Sequence, residues 1–166
     1  VDMDDEMRAL LFRRLIPLFG NYDYLFLDMG AGITPTVLSF AAMSRIRLIV
    51  ITPEPTSLTD GYALIKVLHT QHDVSEFHVI VNMAESEAEA KQSFNRLSAA
   101  CERFLDLSPI FLGAIRSDKA VVEAVRRQTP LMKQAPGSKA GQDIFALAQG
   151  LRRMRHDLLP SLADED

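Results

Sequence analysis

The sequence predicts an α/β domain: a parallel sheet with helices on both faces. Three observations carry this. Short apolar runs alternate with longer segments whose apolar residues recur at helical spacing. Strand–helix–strand units of this length make right-handed crossovers and parallel neighbours. The runs are apolar at successive positions, as expected where helices cover both sides of a strand.

The elements follow in order. Residues 5–18 read as a helix, with Met7, Leu10, Leu11, Leu15 and Leu18 on one face and Gly20-Asn21 ending it. Tyr24–Leu27 is a first short strand, stopped at Asp28. Arg47–Ile51 is a β-branched second strand, stopped by Thr52-Pro53-Glu54-Pro55. Thr56 or Ser57 caps a helix to about Thr70, with Asp60 three residues after Ser57 as a short-armed capping box. Phe77–Val81 is the third strand, and Ser86 caps a long helix to about Phe104. Ile110–Ile115 is the fourth, and Asp118 caps a helix to about Gln128. A last helix covers Lys139 to Leu158, with Ile144, Leu147, Leu151 and Met154 on one face. Residues 1–159 form one domain, and 160–166 form an acidic tail.

Composition sets the outer limits. The 166 residues are 48% hydrophobic and 24% charged, ordinary for a globular domain and too apolar for a disordered chain. Eighteen basic and 22 acidic residues give a net charge of −4, and seven of those acids lie at the two ends. No broad basic face is present, so direct nucleic-acid binding is not expected. The single cysteine, Cys101, excludes an internal disulfide and reads as a small buried hydrophobe. His69 and His72 share a helix face but lack a third metal ligand, and His78 lies within a strand.

Ligands of such sheets bind beyond the carboxyl ends of the strands. Asp28, at the tip of the first strand, suits a magnesium ion held through water. Gly30, Ala31 and Gly32 follow it, and glycines let the backbone approach a phosphate. The same segment also reads as a plain turn in which Asp28 caps backbone donors. Pro53 and Glu54 make a rigid turn into a helix start that either meets an anion or is simply capped. Asn82 either hydrogen-bonds a base or turns the chain. Arg116, Ser117 and Asp118 form the last polar loop, where Asp118 serves as an N-cap with or without a ligand role.

The ordered series DYLFLDMGAGI, LIVITPEPTSLTDGYALIKVL, VIVNMA, LGAIRSDKAVVEAVRRQTPL and SKAGQDIFALAQ resembles the MinD/ParA-like deviant P-loop ATPases. It is most similar to their flagellar-number regulator branch, FlhG (also FleN or YlxH). The most specific stretch is TPEPTSLTDGYALIK. The resemblance implies ATP and Mg2+ as ligands. It implies that Asp28 orders the magnesium shell and that Gly30, Ala31 and Gly32 sense the γ-phosphate. It further implies that Asn82 faces adenine and that the Ile115–Asp118 loop packs on base and ribose. Arg116 stands where the family usually has proline.

The family's phosphate loop, K-G-G-x-G-K-T/S, is nowhere in these residues. The chain thus resembles the C-terminal part of such a P-loop NTPase, expected alone to bind ATP very weakly and to hydrolyse none. By the resemblance, the phosphate-loop strand belongs between Tyr24–Leu27 and Arg47–Ile51. Without it, both segments would carry unpaired backbone groups. The implied whole protein is a cytoplasmic switch that forms a homodimer with ATP and acts on flagellar placement and number. Its implied partners are the GTPase FlhF, the flagellar C-ring or a flagellar transcription activator. The competing expectations are a non-catalytic interaction domain and a ParA-type partition or cobyrinic acid diamide synthase-like relative. The segment LRRMRHDLLPSL is expected as a docked helix; the alternative, a weak peripheral membrane contact, is opposed by Pro160 and the acidic ADED end.

Overall fold

The computed structural model describes residues 10, 13, 14, 17 and 22–158, with the side chains of 155–158 left aside. Most of the helix expected over 5–18 and all of the tail at 160–166 lie outside the described residues; positions 10, 13, 14 and 17 are helical.

The element order is α1 (Pro35–Met43), β1 (Leu48–Ile51), α2 (Pro55–His72), β2 (His78–Ala84), α3 (Glu87–Leu105), β3 (Ile110–Arg116), α4 (Lys119–Arg126), α5 (Leu131–Gln134) and α6 (Lys139–Leu158). The three strands form a parallel sheet in the order β1-β2-β3. Leu48 sits opposite His78, and His78 opposite Ile110. The α/β fold class stands.

One strand does not form. Tyr24–Leu27 is irregular and exposed, with Phe26 70% accessible. A strand is completed by a neighbour that takes its N–H and C=O groups, and this segment pairs with no described strand. On β1, Ile49 and Ile51 point into the core while Val50 is 57% exposed. Only β2 is buried on both faces along its apolar run. Cover on both sides of every strand therefore holds for the middle strand and not for β1.

Helix α1 and the short α5 go beyond the expected elements. Thr34 caps α1 and Pro35 opens it, the usual preference for a helix start. The guanidinium of Arg47 donates to the carbonyls of Ala41 and Ala42 at 3.0 Å each, closing the other end. Helix α2 begins at Pro55 rather than at a Thr56 or Ser57 cap, and Glu54 makes no side-chain cap bond. The Ser57 hydroxyl instead accepts from the Thr52 N–H at 2.9 Å, because Pro55 has no N–H and the turn's own donor needs a partner. Ser86 and Asp118 cap α3 and α4 as expected, accepting from the N–H groups of Glu89 (3.2 Å) and Ala120 (2.9 Å).

The core joins Ile49 and Ile51 of β1, Val79 and Val81 of β2, Ile65 and Leu68 of α2, and Leu97 and Cys101 of α3. Burial pushes the Cys101 thiol up to about 11, so it packs as a hydrophobe. A register shift between Val79 and Ile80 places Leu112 as an extra residue of β3. It turns Phe111 onto Phe94 of α3, with ring centres 5.0 Å apart, and aims Gly113 at Leu147 of α6. Helices α3 and α6 thereby both touch β3, which stays half-buried.

His78 opens β2 at 3% exposure, and its Nδ1 has no hydrogen-bond partner. Burial lowers its pKa from the usual 6.5, and Glu76, 3.7 Å from Nε2, only partly opposes this. The fold thus favours neutral His78. Stability is full above about pH 6.5 and falls as pH drops through His78's lower folded value. Urea midpoints should decline between pH 7 and pH 5 in the native protein and decline less in His78→Leu. Equal slopes would remove His78 as the cause.

Candidate functional site

Parallel strands end on the same side, so the carboxyl ends of β1, β2 and β3 form one edge of the sheet. That edge gathers Pro53 and Glu54 after β1, Asn82 near the end of β2, and Arg116, Ser117 and Asp118 at the end of β3. Asp28, Gly30, Ala31 and Gly32 lie in the irregular stretch before α1, all exposed. Gly32 has φ +109°, a conformation that side chains resist, and a Cβ there would meet only open space.

The tip of β2 is strained. Met83 has φ 59° and is exposed, and the ladder to β3 slips between Asn82 and Ala84. A left-handed non-glycine residue costs about 1–2 kcal/mol, and such strain concentrates at functional sites. The Asn82 Oδ1 accepts from the Met83 N–H at 2.9 Å and so fixes the amide's orientation. The Asn82 amide N–H groups make no hydrogen bond among the described residues and remain available as donors. Ser117 N–H donates to the Ala84 carbonyl at 2.8 Å, pinning the ends of β2 and β3 together.

The β3 loop is held from below. The Asp143 carboxylate, in the second turn of α6, accepts from the Arg116 guanidinium at 2.7 and 2.9 Å and from the Arg116 N–H at 2.9 Å. This fork-on-carboxylate geometry is the strong form of an ion pair. It holds the Asp143 carboxyl below the usual range, with the Arg116 hydrogen bond as the main cause. The Asp118 carboxylate accepts from Ala120 N–H and, through its other oxygen at 3.1 Å, from Ala140 N–H. These bonds lower its pKa as well. Both contributions are present above about pH 3.8 and are lost as pH falls through the lower folded values. Arg116 is therefore a brace between β3 and α6, and Asp118 staples the starts of α4 and α6.

Reasoning from sequence missed Asp143 and the Met83 bulge. A bond spanning 27 residues leaves no periodic trace, and a left-handed methionine has no composition cue. His69 is also accounted for: its Nδ1 is 2.8 Å from the Val74 carbonyl. Among the described residues, no group of three His, Cys, Asp or Glu side chains could hold a metal. The donor set fits one side of a nucleotide: an amide, backbone groups and an exposed carboxylate at a sheet edge. The K-G-G-x-G-K-T/S loop that would hold the rest of a triphosphate is not among the 166 residues.

A family model described as cellulose biosynthesis protein BcsQ matches residues 3–151. The chain is 37% identical over 149 residues to the antiactivator FleN of Pseudomonas aeruginosa, covering 90% of this chain and 53% of that protein. It is 33% identical over 132 residues to the flagellum site-determining protein YlxH of Helicobacter pylori, covering 79% of this chain and 44% of that protein. The chain thus spans about half the length of these curated relatives.

Proposed function

Because this chain belongs to the BcsQ-type, MinD/ParA-like family, we propose that it is the C-terminal part of an ATP-dependent dimerising switch in flagellar placement and number control. The observation that carries the reading is the shared sheet edge, where Asn82 keeps amide donors free beside the strained Met83. Two further facts support it. Among the described residues β1 is an edge strand, paired only with β2, and its Val50 is exposed. In the relatives, one an antiactivator and the other a flagellum site-determining protein, the matched stretch covers 53% and 44% of the length.

In this reading Asn82 hydrogen-bonds the adenine edge, and Arg116, Ser117 and Asp118 line base and ribose with backbone groups. Pro53 and Glu54 border the same pocket. Asp28 holds the water shell of Mg2+, and Gly30, Ala31 and Gly32 give backbone N–H groups to the terminal phosphate. ATP with Mg2+ supplies the bound energy that joins two copies. The phosphate loop and catalytic groups belong to a portion outside these residues, so this chain alone turns over no ATP. The working place is the cytoplasm, and the partners are FlhF, the flagellar C-ring or a flagellar transcription activator. No described helix is long and apolar enough to cross a membrane.

Sedimentation velocity on the whole protein tests the switch. A dimer with ATP and Mg2+, and a monomer with ADP, is the expected result. One unchanged state in both nucleotides would instead favour the second reading, an interaction domain without a nucleotide cycle. That reading draws on the missing phosphate-loop motif.

A further inference from the structure

A second surface lies between α2 and α3 and includes the first turn of α2. A cavity of about 440 Å3 opens between the helices, lined by Leu58, Thr59, Tyr62, Arg96, Ala100 and Phe104 over the buried Leu97. Phe104 is 65% exposed at its rim. A ring left in water forgoes about 1.5–3 kcal/mol of burial, which a partner covering this apolar cleft would recover.

The charges around it share one sign. The Arg103 guanidinium lies 5.2 Å from the centre of the Phe104 ring. Neither Arg96 nor Arg103 makes an ion pair among the described residues. Helical spacing of about 100° per residue puts exposed Lys66 on the groove face of α2, one turn beyond Tyr62. The same spacing turns Asp60 and Glu102 away from the groove, and Glu102 is bonded to the Ser98 hydroxyl at 2.9 Å. Apolar floor and basic rim together specify the complement: apolar anchors along one stripe, carboxylates beside it.

We propose that the α2–α3 groove docks an acidic amphipathic helix of a partner protein, with apolar anchors between Tyr62 and Phe104 and carboxylates on Arg96, Arg103 and Lys66. Helix-in-groove recognition uses anchors at i, i+3, i+4 and i+7, and the paired rows of α2 and α3 make such a channel. The unpaired arginines are weakly hydrated forks suited to carboxylates. Its lining shares no residue with the sheet-edge set, and the proposal does not depend on the nucleotide reading.

The test uses the whole protein and a fluorescein-labelled peptide of about 16 residues, with leucine at those anchor positions and Asp or Glu between them. Anisotropy should show saturable binding that weakens as salt rises. Phe104→Ala should weaken it at least about tenfold, as an aromatic anchor does. Arg96→Glu with Arg103→Glu should abolish it and switch preference to a peptide with lysine in place of the acids. All three side chains are exposed, so thermal melts should be unchanged and ATP binding should persist. Three results would overturn the proposal: no binding of the acidic peptide, equal binding of the lysine peptide by the native protein, or binding undiminished in the variants. Native protein that sediments with phosphatidylglycerol vesicles but ignores the peptide would overturn it too, assigning the basic rim to anionic lipid.

Discussion

Replacing Gly113 with alanine should lower the free energy of unfolding by about 2–4 kcal/mol. Two costs combine. The residue has φ +153°, which L side chains rarely adopt. A Cβ there would also lie 2.8 Å from Leu147 Cδ2, and Leu147 is a buried residue of α6. Relieving the contact takes a shift of the buried Leu147 side chain or of α6 against β3. Movement of α6 would carry Asp143 and the Ala140 N–H away from Arg116 and Asp118, and the loss would then reach the sheet edge. Urea unfolding gives the stability change. The loss of amide protection at Arg116 N–H, which Asp143 accepts, gives the local one. A midpoint within experimental error of the native protein would show that β3 does not need glycine.

Phe77→Ala should cost about 3–5 kcal/mol, the usual range for a buried phenylalanine. Phe77 is 1% exposed and among the largest fully buried side chains. Its carbonyl accepts from the Ile110 N–H at 2.8 Å, so it ties β2 to β3 where both begin. Removing the ring leaves a cavity beneath a strand that cannot collapse without breaking the ladder. The effect should appear as a lower denaturation midpoint with an unchanged m-value. A loss under about 1 kcal/mol would mean that the site refills.

These two positions show what was legible in the sequence. Phe77 opens an apolar run, and the run alone marks the strand and its burial. Gly113 sits inside a similar run, but its contact with Leu147 depends on a one-residue register shift that periodicity does not encode. The same division holds elsewhere. The strands β1 to β3 and the helices α2, α3, α4 and α6 follow from spacing and breakers. Tyr24–Leu27 has the composition of a strand, yet strand formation belongs to a pair, and the described sheet consists of β1, β2 and β3. Helix α1 did carry a signal in Thr34-Pro35, a cap followed by the residue that best opens a helix.

The candidate site divides likewise. Its residue types and their places past the strand ends were readable, because parallel topology forces them to one edge. The ties that hold them were not: Arg116 to Asp143, Asp118 to Ala140, and Ser57 to Thr52 are tertiary or turn-specific choices. The groove between α2 and α3 was equally hidden. Arg96, Ala100 and Phe104 share a helix face in sequence, but only packing shows that Tyr62 faces them. The recognition stretch TPEPTSLTDGYALIK holds the β1–α2 turn and one wall of that groove.

Titration of ATP with Mg2+ into the whole protein, its Asn82→Ala variant and residues 1–166 alone tests the half-pocket most directly. The account predicts saturable binding by the whole protein, binding at least about tenfold weaker in Asn82→Ala for an amide lost from the base edge, and almost none by residues 1–166. Tight ATP binding by residues 1–166, or binding by the whole protein that ignores Asn82, would contradict it.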